Sequence, residues 1–415
     1  MTQDRAMKAQ ALEGIVVLEF AAFAAGPCVG KYLANCGAFV VKVESRARLD
    51  GFRTHYPPFK DNIPGPNRSG VFAMNNDGVY SVGLNLKVPA GMEIAQKLAA
   101  KADVVIENFT PGTMKRLGLG YEQLAAANPG LVMLSTCNLG QTGPRAQHPG
   151  FGSQLTSLSG FTHLIGDEGG TPVIVYGPYI DYIAVGYGYI GILAALEHRR
   201  RTGRGQYIDL SQYENGAQFV APAILEYQLL GTAPTRRGNR HEFAAPHGVY
   251  PCQGTDQWIA ISVFDDAEWQ RLVKAMRKPA WAVSPRFASQ LARKESEAEL
   301  DTMLAKWTRR KQADDLAQKL QKGGVHAGKV NSIADLFSDP QLAHRGHWGA
   351  VPHPEVGPHH VEMPAYKLSE TPCQEPLPEP LLCEHTEVVL EKLLGLSRAE
   401  ILGLASQGAV ELAKP

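Results

Sequence analysis

The chain has 415 residues, too many for one ordinary core, and its length predicts two or three domains. Hydrophobic residues at 44% and charged residues at 20% are the proportions of a soluble globular protein, which disfavours disorder, collagen and coiled coil. The 41 basic and 41 acidic side chains cancel, so nothing points to nucleic acid or to an anionic membrane, and the expected partners are small molecules or protein.

The start, Met1 to Leu12, is polar and lacks the apolar run of a secretory signal, and no later stretch reads as long enough to span a bilayer. A cytoplasmic protein is expected. Cysteines at 28, 36, 137, 252, 373 and 383 form no CxxC pair and have no histidine at metal-ligand spacing, so they read as reduced, mostly buried thiols. The apolar run Ile15-Val16-Val17-Leu18, the small-residue turn Ala24-Ala25-Gly26-Pro27, a helical stretch and the run Ala38-Phe39-Val40-Val41-Lys42-Val43 make a βαβ unit. In a second unit, residues 91–101 have helical spacing, and Asp103-Val104-Val105-Ile106 and Leu131-Val132-Met133-Leu134 read as buried strands. Such alternation predicts a mostly parallel sheet covered on both faces. The first βα turn lacks GxGxxG, which argues against a Rossmann dehydrogenase.

Residues 182–200 predict a long, largely apolar helix, stopped by Arg199-Arg200-Arg201-Thr202-Gly203. Composition shifts near Gln218, after which Trp258-Ile259-Ala260-Ile261 reads as a strand and residues 295–321 as charged helices. The Pro-rich stretch 352–380 predicts an extended arm, and helices follow at 386–394 and 398–404. The expected fold class is α/β: a Rossmann-like large domain over 1–218, a smaller α+β domain over 219–330, and an arm with helices over 331–415 that return to the large domain.

In the loop Tyr176-Gly177-Pro178-Tyr179-Ile180-Asp181, the aspartate stands just before the first turn of the long helix. Two compatible roles are open to it. It can cap the helix, or its adducts can be held by the backbone amides there.

Beyond Asp181 come Ile190-Gly191-Ile192-Leu193-Ala194-Ala195-Leu196, Arg201-Thr202-Gly203-Arg204-Gly205-Gln206 and Tyr207-Ile208-Asp209-Leu210-Ser211. Residues 12–44, 75–119 with Glu107-Asn108-Phe109-Thr110-Pro111-Gly112, Gly140-Gln141-Thr142-Gly143-Pro144, 324–346 and 385–408 complete the pattern. Together they resemble the class III CoA-transferases, the family of formyl-CoA transferase and crotonobetainyl-CoA transferase, over nearly the whole chain.

The resemblance implies that Asp181 is the catalytic nucleophile, carrying the acyl and CoA groups in turn as an anhydride and a thioester. It implies CoA contacts at Phe23, Ala25, Leu84, Lys87, Asn108, Phe109 and Arg116, with Lys87 and Arg116 on phosphates and Leu84 and Phe109 at the adenine end. Ala22 and Ala24 stand where formyl-CoA transferase has polar side chains, and Arg46 is the substitute for a basic residue expected at Ser45. Tyr179, Tyr182 and His247, with His241 as an alternative, would face the acyl pocket. CoA thioesters would be substrates, with no tightly bound cofactor and no metal. An interlaced-ring dimer is implied, as a homodimer or as a heteromer with a related chain.

The aromatic text Gly177-Pro178-Tyr179-Ile180-Asp181-Tyr182 looks most like the Asp-bearing subunit of transferases that move CoA from succinyl-CoA to benzylsuccinate. Another dicarboxylate, or a carnitine-type acid, is the alternative. The segment Gly238 to Gly248 is no polyglycine loop, which argues against formyl and oxalate chemistry. α-Methylacyl-CoA racemases of the same fold carry Gly-His-Asp where this chain has Gly150-Phe151-Gly152, and Phe151 cannot move a proton. A silent subunit of a heteromeric transferase is the remaining reading, and retention of Asp181 argues against it.

Overall fold

The computed structural model describes residues 9–413. The chain divides into two compact units, the larger from residues up to 161, 174–229 and 340 onward, the smaller from 162–173 and 230–339. The larger unit therefore runs past 218, because the chain continues from the helix Gln212–Phe219 into the helix Ala221–Leu230 before leaving it.

In the larger unit β1 (Val16–Phe20), β2 (Phe39–Glu44), β3 (Tyr80–Leu84), β4 (Val104–Glu107), β5 (Val132–Cys137) and β6 (Tyr207–Ser211) run parallel in the order 3-2-1-4-5-6. The short strand Val410–Glu411 pairs antiparallel with β3 at the edge. Every residue of β4 and β5 is buried, as expected of strands covered on both faces. Leu18, Phe20, Val41, Val105 and Met133 pack with Ile94, Ala95 and Leu98 of the helix Pro89–Lys101. Their alternates Val17, Val40, Val104, Ile106, Val132 and Leu134 pack with Val29 and Leu33 of the helix Ala25–Asn35 and with Val185 and Ile192 of the helix Tyr179–Thr202. Strand order reverses at β1, between β2 and β4, and such a switch point leaves a crevice outside the carboxyl ends of the strands.

The long helix runs Tyr179–Thr202, so Asp181 lies inside its first turn rather than ahead of it. Pro178 takes the cap position and no side chain caps this end, which corrects the expectation of Asp181 as a cap. The aspartate still sits at the positive end of the helix dipole. The other end is as expected, with Gly203 in the left-handed conformation (φ 75°) and its N–H on the carbonyl of Arg199. With 24 residues, the helix is long and apolar enough by composition to cross a membrane, contrary to the expectation that no stretch is. It packs instead on β5, β6 and the helix Ala25–Asn35, and a helix covering a sheet is apolar for the same reason as a spanning one.

The smaller unit is α+β, with β7 (His247–Pro251), β8 (Trp258–Ser262) and β9 (His326–Lys329) forming an antiparallel sheet in the order 7-8-9. Ile259 and Ile261 from this sheet pack with Trp269, Leu272, Leu300, Leu304 and Leu316 from its helices. The Pro-rich stretch is not extended throughout: β10 (Trp348–Val351) and β11 (His359–Glu362) pair as a hairpin within the larger unit.

Candidate active site

At the switch point of the larger unit lies a cavity of about 1040 Å³. It is walled by residues 20–25 at the end of β1, 42–45 and 47–51 around the end of β2, 84–87 at the end of β3, 108–111 after β4, 136–138 at the end of β5, and Gln212 after β6. Asp181 and Gly152 close one side.

Among the described residues no hydrogen bond or ion pair holds the Asp181 carboxylate, and burial pushes it up to about 7. Gly152 explains how it fits. A Cβ on Gly152 would stand 2.7 Å from Asp181 Oδ2 and 2.8 Å from its Cγ, so only glycine lets the carboxylate lie against this backbone.

A second set of buried charges supports the same cavity. Lys42 Nζ stands 2.8 Å from Glu19 Oε1 and 3.2 Å from Asp50 Oδ2, and donates to the carbonyl of Ala21 at 2.8 Å. Asp50 Oδ1 accepts the backbone N–H of Phe23 at 3.0 Å and of Phe52 at 2.9 Å. Arg53 forks onto Glu44, with Nε and Nη2 each 2.8 Å from a carboxylate oxygen. Burial alone would raise the Glu44 carboxyl, but Arg53 and the Ser81 hydroxyl bring it below the usual range. Glu19 is held above it by burial, which Lys42 only partly offsets.

The expected CoA contacts divide into those on the cavity and those off it. Phe23, Ala25, Leu84, Lys87, Asn108 and Phe109 line it. Both ends of the Asn108 amide are engaged with Ala22, Nδ2 donating to its carbonyl at 2.6 Å and Oδ1 accepting its N–H at 3.0 Å, so this side chain fixes the turn after β1. Arg116 is off the wall, with Nη2 on Thr113 Oγ1 at 2.8 Å. Arg46 is also off it, bonded through Nη2 to the carbonyl of Leu412 at 2.6 Å and paired with Glu411; the arginine after β2 that reaches the wall is Arg48. Of the acyl-pocket candidates, neither Tyr179, edge to face with Phe161 at 5.7 Å, nor Tyr182, whose hydroxyl burial pushes up to about 12, lines this cavity. His247 belongs to the smaller unit, where Nδ1 meets the carbonyl of Asn239 and the ring lies 5.2 Å from that of His241. Sequence reading passed over Arg48, Tyr56, His148 and Gln212, which all line the wall. Arg48 and Tyr56 follow β2 and Gln212 follows β6, so loops leaving the carboxyl ends of parallel strands were the available signal.

Residues 12–386 match the family described as CoA-transferase family III. The chain is 34% identical over 401 residues to the succinyl-CoA--D-citramalate CoA-transferase of Chloroflexus aurantiacus, covering 96% of this chain and 98% of that protein. It is 34% identical over 403 residues to the beta subunit of the succinyl-CoA--L-malate CoA-transferase of the same species, again with 96% and 98% covered. Among solved structures, a CaiB/BaiF family protein from Brucella suis aligns with a TM-score of 0.85 at 32% identity, over 93% of this chain and 100% of that one. With the match spanning the whole smaller unit and most of the larger, the chain belongs to CoA-transferase family III.

Proposed function

We propose that this CoA-transferase moves CoA from succinyl-CoA to a dicarboxylic acid, with the Asp181 carboxylate as the nucleophile. The observation that carries the reading is that carboxylate: bare of partners, raised to about 7 by burial, and set on the wall of a cavity at the switch point. A half-buried carboxylate without hydrogen bonds attacks a thioester better than a fully solvated one.

In the first step an Asp181 oxygen bonds to the thioester carbonyl carbon, the C–S bond breaks, and CoA thiolate leaves, giving a mixed anhydride. The thiolate then attacks the Asp181 side-chain carbonyl, expelling succinate and leaving a thioester on Asp181. The acceptor carboxylate displaces the thiolate from that thioester to form a second anhydride. Attack of the thiolate on the acceptor acyl carbon releases the new CoA ester and restores the carboxylate. Both adducts hydrolyse if water reaches them, so the acid must fill its part of the cavity.

The relatives' names, with D-citramalate and L-malate as acceptors, support a short dicarboxylate, and benzylsuccinate is a substituted member of the same class. The reading includes a partner chain, a second copy or a related subunit. Ile224, Leu225, Tyr227, Leu229 and Leu230 of the helix Ala221–Leu230 are all exposed, and no residue of that helix is buried. An apolar helix with no buried face in one chain is what an interlaced partner would cover. Six unpaired cysteines suit a reducing compartment, the cytoplasm. The test is incubation with succinyl-CoA followed by hydroxylamine, which should convert Asp181 to a hydroxamate found in its peptide; a label elsewhere or nowhere refutes the nucleophile. Sizing with light scattering should return a dimer, and a compact monomer at micromolar concentration would refute the assembly.

A further inference from the structure

We propose that Phe23, Tyr56 and Phe151 form an aromatic wall that seats an apolar or aromatic substituent of the acid bound at Asp181. The inference rests on the reading of Asp181 as the point of attachment and names the class of acid delivered there.

All three rings line the cavity, and they form one cluster. The Phe23 ring stands 6.2 Å from that of Tyr56 and 6.2 Å from that of Phe151, each edge to face. Phe23 also packs on Phe52, 5.5 Å away, but core packing does not account for the other two, since Phe151 is 61% exposed and Tyr56 42%. Phe23 adopts φ 62°, a conformation that a bulky side chain rarely takes. The structure holds it there on purpose. Its backbone N–H is fixed by Asp50, and Gly51 clears the space beneath its ring, where a Cβ would stand 2.2 Å from a ring carbon. A strained residue maintained by its surroundings points to a use for the ring in the cavity.

The register of the chain supplies the acid. Phe151 precedes Gly152, the residue whose backbone lies against the Asp181 carboxylate, so the aromatic face begins one residue along the chain from the glycine beside the attacking oxygen. The free cations of the wall, Arg48 and Lys87, lie beyond the ends of β2 and β3 and suit the phosphates of CoA. An unsubstituted dicarboxylate would leave the rings in water. A substituted one would cover them.

The experiment compares kcat/KM for benzylsuccinate and for glutarate as acceptors from succinyl-CoA in the wild type, Phe151→Ala, Phe151→Leu and Tyr56→Ala. The benzylsuccinate-to-glutarate ratio should favour the aromatic acid in the wild type and fall by about ten- to a hundredfold in either alanine variant, the range an apolar pocket commands. Phe151→Leu should fall between. A wild type without that preference, or a ratio unmoved by substitution, overturns the wall. So does a rise in KM for succinyl-CoA common to both acceptors, which would place the rings under the CoA chain. Hydroxylamine trapping with succinyl-CoA separates the failures: a hydroxamate at Asp181 with an unmoved ratio sinks the wall alone, whereas no hydroxamate takes the nucleophile and the wall together. Both substituted rings are exposed, so the variants should keep the wild-type melting transition.

Discussion

Two sets of charges stand at the same cavity, and they differ in whether the charges have partners. On β1, on β2 and in the segment after β2, Glu19, Lys42, Glu44, Asp50 and Arg53 are buried and interlocked, each carboxylate meeting a cation at 3.2 Å or less. Across the cavity Asp181 has neither a cation nor a hydrogen bond among the described residues. Burying an ion costs several kcal/mol unless it is paired, so the members of the first set stabilise one another, whereas the ionised form of Asp181 is disfavoured where it stands. What separates the two is the missing partner at Asp181.

The strongest test of this contrast is Asp181→Asn. Asparagine keeps the shape and removes the nucleophilic anion, and transfer should fall by about a thousandfold or more, beyond what a positioning residue usually commands. The fold should gain. Because burial raises the carboxyl above its ordinary value, its ionisation opposes folding; that cost is absent below about pH 4 and grows as pH rises to about 7. Asp181→Asn should therefore match the wild type in acid and melt higher above pH 7. In the wild type, the rate of hydroxamate formation at Asp181 should fall as pH drops through about 7, since the protonated acid does not attack. Glu107, also raised to about 7 by burial, titrates in the same window, so the label at Asp181 must be read directly. An Asp181→Asn variant that retains activity would erase the distinction between the two sets.

The paired set is tested next. Arg53→Met leaves Glu44 buried without its guanidinium and should cost about 3–5 kcal/mol in urea unfolding, with Glu44→Gln added to it restoring part of the loss. Glu44 is held below the usual carboxylate range, so its contribution is present at neutral pH and disappears in acid as pH falls through its folded value. A stability change below 1 kcal/mol would show the pair to be solvated and the contrast with Asp181 to be one of position alone. A smaller effect, on rate, is expected of Gly152→Ala. The added Cβ would overlap the Asp181 carboxylate and move it, and a displacement of about 1 Å costs roughly a hundredfold in rate. Turnover at the wild-type rate would show that the carboxylate swings away from Gly152 before it attacks.

Much of this arrangement is legible in the sequence. Apolar runs flanking Ala24-Ala25-Gly26-Pro27 give β1, the first helix and β2, and the alternation of strands with helices gives the parallel sheet, though not the strand order that makes the switch point. The long helix is legible apart from its start, where Pro178 admits a turn that hydropathy alone does not reveal. What stays hidden depends on long-range pairing. Residues 162–173 join the smaller unit through bonds such as Arg236 Nε to the carbonyl of Gly170 at 3.0 Å, across a gap that local pattern cannot span. The choice between Arg46 and Arg48 is hidden too. Glu411, from the far end of the chain, takes Arg46 Nη1 at 3.6 Å and the Ser45 hydroxyl at 2.7 Å, and this leaves Arg48 for the cavity. The bareness of Asp181 is equally invisible, since it is an absence created by every neighbour at once.

The smallest effects belong to the exposed cations, where the contrast between paired and unpaired charge recurs on the surface. Lys87 and Arg48 line the cavity and no described residue pairs with either side chain, whereas Arg46 is paired with Glu411 and Arg116 is bonded to Thr113. If the rule holds here, the unpaired cations receive the CoA phosphates. Lys87→Ala and Arg48→Ala should each raise KM for succinyl-CoA by about two- to tenfold with little change in kcat, because such contacts hold ground and transition states alike and exposed charges each contribute about 1 kcal/mol or less. The effect should shrink in high salt, which screens it. Arg46→Ala should leave KM nearly unchanged and lower the melting temperature slightly, through loss of the tie to the last strand. Arg116→Ala is the sharpest of the four. Family resemblance puts it on a phosphate, yet its guanidinium is off the wall, so a KM shift as large as that of Lys87→Ala would mean that CoA reaches past the cavity to the helix Thr113–Arg116 and draws this side chain away from Thr113.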